Sequence, residues 1–245
     1  MTHDAAWRRW LPALLGLLFA AALAGLWVVQ GWRGAHLVHA ACMILAWAGM
    51  LPAGAIVARW WKVTPGQDFP ARRDNPLWWN WHRALQYGGM AVATLGLVAV
   101  LAQTGGRFDG AHALLGAAAM LAGWGQVIGA QLRGTKGGPT DPRADPADPA
   151  TWRGDHFDMT RRRRLFEALH KTGGWLTLAL AAAALATGAA LAGAPDWLVV
   201  LLGVAWLVAL FAVLDLVRRG RHVDTYVAIW GPNLRSDRLP PGRAP

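Results

Sequence analysis

Residues 37–58 read LVHAACMILAWAGMLPAGAIVA, 22 positions without an Asp, Glu, Lys or Arg and with a histidine, His39, three residues from the start. A helix needs about 20 apolar residues to cross a hydrocarbon core of roughly 30 Å, and a helix is required because unpaired backbone groups cannot lie in lipid. The stretch therefore reads as a membrane span. Five more of the same kind flank it, at 11–31, 84–106, 111–132, 172–194 and 197–214. The expected fold is an all-α membrane protein with six transmembrane helices in one domain, 1–217, followed by a polar cytoplasmic tail, 218–245. Composition excludes a water-soluble globule as well, since 55% of the 245 residues are hydrophobic and only 16% are charged. Many of the 16 tryptophans, among them Trp32, Trp60, Trp61, Trp78, Trp79 and Trp197, fall near the ends of these runs, where an amphipathic indole prefers the headgroup level.

Charge sets the orientation. Of the 24 Lys and Arg residues, only Arg33 and Arg107 fall on the face opposite the other 22. The positive-inside rule then puts both termini and the two long connections, 59–83 and 133–171, in the cytoplasm, in a bacterial-type inner membrane. The formal charge of +10 is thus mainly a topology signal. It favours anionic lipid headgroups as partners, and nucleic acid is not expected because the basic residues are not gathered on one face beside stacking aromatics. Arg8 and Arg9 before an apolar run raise the alternative of a signal peptide for 11–31, but that run exceeds the usual h-region of about 7–15 residues, so a retained span is expected. The Asp-Pro repeats at 141–142, 145–146 and 148–149 cannot continue a helix and read as a cytoplasmic flap.

Four of the eight histidines sit at the starts of four spans: His39 and His112 just inside two of them, His82 and His170 just before two others. Alternate spans enter from opposite faces, so His39 and His112 share the outer level and His82 and His170 the inner one. Ionisable groups at such depths are costly and are usually functional. Two imidazoles from different helices at one depth are what bis-axial ligation of a haem iron requires. With one cysteine, Cys42, the chain cannot make a C-x-x-C-H attachment, a cysteine zinc site or an iron–sulfur site, so any haem is held non-covalently. Small residues one turn along leave room for a macrocycle on two helices of four: Gly116 follows His112, and Gly173 and Gly174 follow His170, whereas Met43 follows His39 and Gln86 follows His82. Gly88, Gly89 and Gly96 add close-approach positions. Two b-type haem sites are expected; the plainer reading of each histidine is a hydrogen-bonded interface residue. His36, one turn before His39, is either an alternative ligand or a headgroup residue, and His3, His156 and His222 read as surface residues. Trp47 and Trp124 lie near mid-membrane, where packing is the expected role.

With these residues in hand, the chain resembles the cytochrome b561 family over roughly residues 36 to 190. His39 with Trp47, Pro52-Ala-Gly54 and Ala58-Arg59 is similar to the second-helix signature. Trp81-His82-Arg83 with Gln86, then His112 with Gly116, Gln126, Gln131 and Arg133, then Leu169-His170-Lys171-Thr-Gly-Gly174 resemble the third, fourth and fifth. The resemblance implies six helices, of which the second to fifth form a four-helix bundle holding two non-covalent b haems, with His39 paired to His112 outside and His82 to His170 inside. It also favours His39 over His36. Arg59, Arg83, Lys171, Gly116 and Gly174 are the expected haem surroundings. The likeness is greatest to the branch often fused to a DOMON domain, but this chain shows no such segment, so its outer partner is expected to be a separate molecule or a small solute. Bacterial four-helix b561 proteins are a different group.

The implied function is transmembrane electron transfer, from a cytoplasmic reductant to an outer acceptor such as ferric iron, a radical or a redox protein. The resemblance suggests an anionic donor such as ascorbate, with Arg59, Arg72, Arg73 and Arg83 as candidate contacts, although the same cations are expected here for topology alone. A second reading is quinone or quinol chemistry at the bilayer edge. A third, from another class, is a transporter whose histidines relay protons without haem. A homodimer is compatible with all of these.

Overall fold

The structure, a computed structural model, describes residues 34–64, 66–69, 71, 76–133, 148, 161–220, 223, 225 and 228. The first apolar stretch, Arg72, Arg73, His3, His156, His222, most of the Asp-Pro segment and most of the tail lie outside the described residues. The main helices are α1 (Gly34–Trp60), α2 (Pro76–Thr104), α3 (Gly110–Gln131), α4 (Arg161–Leu191) and α5 (Asp196–Arg218). Among the described residues, α1, α2, α3 and the Leu165–Leu191 part of α4 are long and apolar enough to cross a membrane. These helices suggest an integral membrane protein. The 23-residue α5 contains the apolar stretch 197–214.

Two helices begin well before the apolar runs they carry. α2 starts at Pro76 and α4 at Arg161, so His82 and His170 lie inside helices and not ahead of them. A helix need not stop where the hydrocarbon stops. Pro76 is at home in a first turn, where its missing N–H costs nothing. The charged start of α4 is braced at i,i+4 spacing by Glu167, which meets Arg163 at 3.2 Å and Lys171 at 2.7 Å.

α1 is not uniform, because Ile44–Met50 is a π-helix between two α-helical halves. Pro52 lies just beyond, at the start of the second half. Its ring cannot donate a hydrogen bond and would collide with the carbonyl four residues back, so a wider turn ahead of it relieves the clash.

α1 packs against α2 and α3 against α4, and the π segment bridges to α4. Glycines make the α1–α2 contact close. A Cβ on Gly96 would come within 2.7 Å of the Cys42 Cβ, and one on Gly89 within 2.8 Å of Leu51. The short connection between α2 and α3 turns through Gly105 and Gly106, both at positive φ (65° and 80°), which closes α2 against α3. The core is built from Trp47, Leu51, Met90, Met120 and Leu178 with alanines between them. Leu95, Leu114, Leu121, Leu176 and Leu191 point outward and are 60–76% exposed, an arrangement that lipid would solvate.

Candidate paired-histidine centres

The bundle brings the four histidines together two by two. The His39 and His112 rings lie with centres 6.0 Å apart and planes 85° to one another; the His82 and His170 rings lie 6.2 Å apart at 88°. The first pair joins α1 to α3 and the second joins α2 to α4, so each pair ties one helical hairpin to the other. Three of the rings are anchored from behind. His39 Nδ1 donates to the carbonyl of Gly96 at 3.0 Å, His82 Nδ1 to that of Gly54 at 3.0 Å, and His112 Nδ1 to that of Ala184 at 2.9 Å. A carbonyl can only accept, so the proton sits on Nδ1 and the Nε2 lone pair is left free, the tautomer that a metal ligand needs.

The residues fit a bis-imidazole iron site. Two imidazoles bonded to one metal from opposite sides, at about 2 Å each and with roughly 1 Å from nitrogen to ring centre, have centres about 6 Å apart. Gly116 and Gly174 have open space where a Cβ would stand, whereas Gly173 is filled by Gln126. Among the described residues no cluster of three or more His, Cys, Asp or Glu could hold a bare metal ion. Two-fold imidazole ligation with a macrocycle filling the remaining positions does not need one.

A cavity of about 490 Å³, in the range of roughly 300–1,000 Å³ usual for small-molecule and cofactor sites, opens around the inner pair. Its lining includes Trp47 and Met90 of the core and the cations Arg59, Lys62, Arg83 and Arg133. His82 and His170 line it; His39 and His112 do not. Aromatic rings back both inner histidines. Trp79 stacks on His82 at 6.2 Å and Phe166 on His170 at 4.9 Å, with Arg133 lying 4.6 Å above Trp79 and Arg163 lying 5.5 Å above Phe166. Burial, and then the charge of Arg163, push the Arg133 guanidinium below its ordinary pKa.

Of the expected cofactor surroundings, Arg59, Arg83, Lys171 and Gly174 line the inner cavity, and Gly116 stands on the helix of the outer pair. Arg59 is exposed, Arg83 sits 5.8 Å over Trp79, and Lys171 is engaged by Glu167. Cys42 is a free thiol packed against Gly96. Trp47 is a core residue, and Trp124, half exposed, donates to Thr94 at 3.1 Å. The sequence reading missed the rings behind the inner histidines. Trp79 read only as a headgroup residue, and the one available signal was its place three positions before His82 on a helix. It also missed the tail: Lys62, 6% exposed, donates to the Val223 carbonyl at 3.3 Å, and Thr225 reaches the cavity.

No family model matches this chain, and no solved structure matches it. Over 152 residues, 62% of its length, the chain is 30% identical to a cytochrome b561, DM13 and DOMON domain-containing protein of Arabidopsis thaliana. The matched part is 14% of that relative, so the chain spans about a seventh of its length. The likeness points toward the cytochrome b561 family.

Proposed function

We propose that this protein is a cytochrome of the b561 type that moves single electrons across the membrane. His39 and His112 would hold an outer b haem and His82 and His170 an inner one, both without covalent attachment. One observation carries this reading: two imidazole pairs, each about 6 Å between ring centres, with three of the four rings fixed by Nδ1–H bonds in the ligating tautomer. Bound there, haem supplies a one-electron iron couple.

The rest is the work of the chain. Gly116 and Gly174 keep space open beside the histidines. Arg59, Arg83, Arg133 and Lys171 offer cations to the propionates of the inner group and to an anionic reductant arriving from the cytoplasm, ascorbate being the donor suggested by the resemblance. Gly96, which anchors His39, lies fourteen residues beyond His82 on α2, which sets the two pairs about 21 Å apart along the helix at 1.5 Å per residue. That separation spans most of a ~30 Å core, so an electron crosses without any helix having to move. Six spans, cytoplasmic termini, an inner-membrane location and an outer acceptor complete the reading.

Purified full-length protein is expected to show a Soret band, sharp alpha bands on dithionite reduction, and two haems per chain as the pyridine haemochromogen. A colourless protein would overturn the proposal and favour a histidine proton relay. Liposomes holding ascorbate inside, set against liposomes supplied with a quinol, separate the two donor chemistries.

A further inference from the structure

The two hairpins, α1–α2 and α3–α4, are repeats of one unit. On their second helices the buried positions recur 88 residues apart: Gly89 with Thr177, Met90 with Leu178, Ala93 with Ala181 and Gly96 with Ala184, just as His82 recurs as His170. On their first helices the interval is 73 residues for His39 with His112, Ala46 with Ala119 and Trp47 with Met120. It becomes 72 for Leu51 with Gly123 and for Gly54 with Gln126. The step falls inside the π segment Ile44–Met50, and one extra residue accommodated in a wider turn is what a π segment provides. Hydrogen bonds obey the same correspondence, since His39 donates to Gly96 and His112 to Ala184, its equivalent.

His82 donates to the carbonyl of Gly54. By the repeat, His170 should meet position 126, and there the two hairpins differ. Gly54 has no side chain, and Leu85 and Gln86 of α2 fill the space against it; in the other hairpin the equivalents of Leu85 and Gln86 are Gly173 and Gly174, and Gln126 fills the space against Gly173 while that beside Gly174 stays open. Each hairpin thus sends one carboxamide across its interface, in opposite directions. Gln86 Nε2 is bonded to the Leu51 carbonyl, but Gln126 Oε1 is buried without a partner, and so is His170 Nδ1. Both side chains line the same cavity. The Gln126 amide nitrogen lies 2.5 Å from where a Cβ of Gly173 would be, one turn along α4 from His170. Oxygen and nitrogen of a carboxamide have the same shape, and a flip turns Oε1 toward α4.

We propose that Gln126 is the positioning residue of His170, its Oε1 accepting the Nδ1–H in place of the backbone carbonyl that serves the other three histidines. This inference rests on the haem reading above. An acceptor on Nδ1–H strengthens the imidazole as a ligand and favours ferric iron, so the reduction potential of the inner haem records the bond.

The test is a redox titration of the full-length protein as Gln126→Leu and as Gln126→Glu, with the inner haem identified as the one missing from His82→Ala. The expected result is that Leu moves the inner midpoint up, Glu moves it down, and the outer midpoint stays in place. Loss of inner haem to apomyoglobin should quicken about 10-fold in the Leu variant and be restored by Glu. An inner midpoint that stands still in both variants, moves the same way in both, or is replaced by a shift of the outer haem overturns the inference, as does loss of the inner haem from both. Each of these outcomes leaves the haem reading intact, whereas a colourless wild-type protein ends both.

Discussion

At the scale of single residues, the decisive feature is that each histidine faces a second imidazole and that three of the four are held from behind by a carbonyl. Replacing a ligand removes one side of a two-sided site. His82→Ala or His170→Ala should therefore lose the inner haem and abolish transmembrane transfer while the outer haem keeps its spectrum; two full haems in either variant would reject the ligand assignment. His36→Ala should keep both haems, as pyridine haemochromogen analysis can check, because it is His39 that bonds Gly96 and faces His112. The four histidines were legible from depth and spacing. Their supports were not: Gly54, Gly96 and Ala184 act through backbone carbonyls, which every residue type owns, so no side-chain signal marks them.

At the scale of elements, the glycines of α2 and the π segment of α1 govern how the first hairpin closes. A Cβ at Gly96 would collide with Cys42 and crowd the His39 carbonyl. Gly96→Ala should cost about 1–3 kcal/mol of stability, measured as reversible unfolding in detergent, since overpacking forces backbone shifts. Gly49→Ala, where a Cβ has open space, serves as the control. The π segment yields a sharper test. Deleting Ala48 together with Pro52→Ala makes α1 match α3 in length between its histidine and the Gly54 position, so both haems should survive. Deleting Ala118 from the regular α3 turns His112 about 100° relative to the rest of its helix and should lose the outer haem. Apolar length and glycine content predicted helices and close contacts here. A π turn left no mark in hydropathy, because the register it corrects is defined only against the other hairpin.

Over the whole molecule, charge asymmetry and helix pairing work together. Cations line the cavity around His82 and His170, whereas His39 and His112 lie outside it. Arg83→Gln or Arg59→Gln should weaken an anionic donor, seen as a several-fold rise in the KM for inner-side reduction with little change in the dithionite-reduced spectrum. A neutral quinol donor should show no such rise. The orientation itself is checked by tagging both ends and asking which side of sealed vesicles exposes them; cytoplasmic exposure of both is expected.

Apolar length in the chain was enough to settle membrane-length helices, because hydrocarbon thickness acts on each segment alone, while charge carries the proposed sidedness through the positive-inside rule. Depth also grouped the histidines into an outer and an inner set. Which rings face one another at about 6 Å, which carbonyls hold them and where Gln126 crosses to α4 became known only once the helices packed. These depend on the rotation of one helix against another, and that rotation is fixed by interlocking side chains and close glycine contacts spread across four helices.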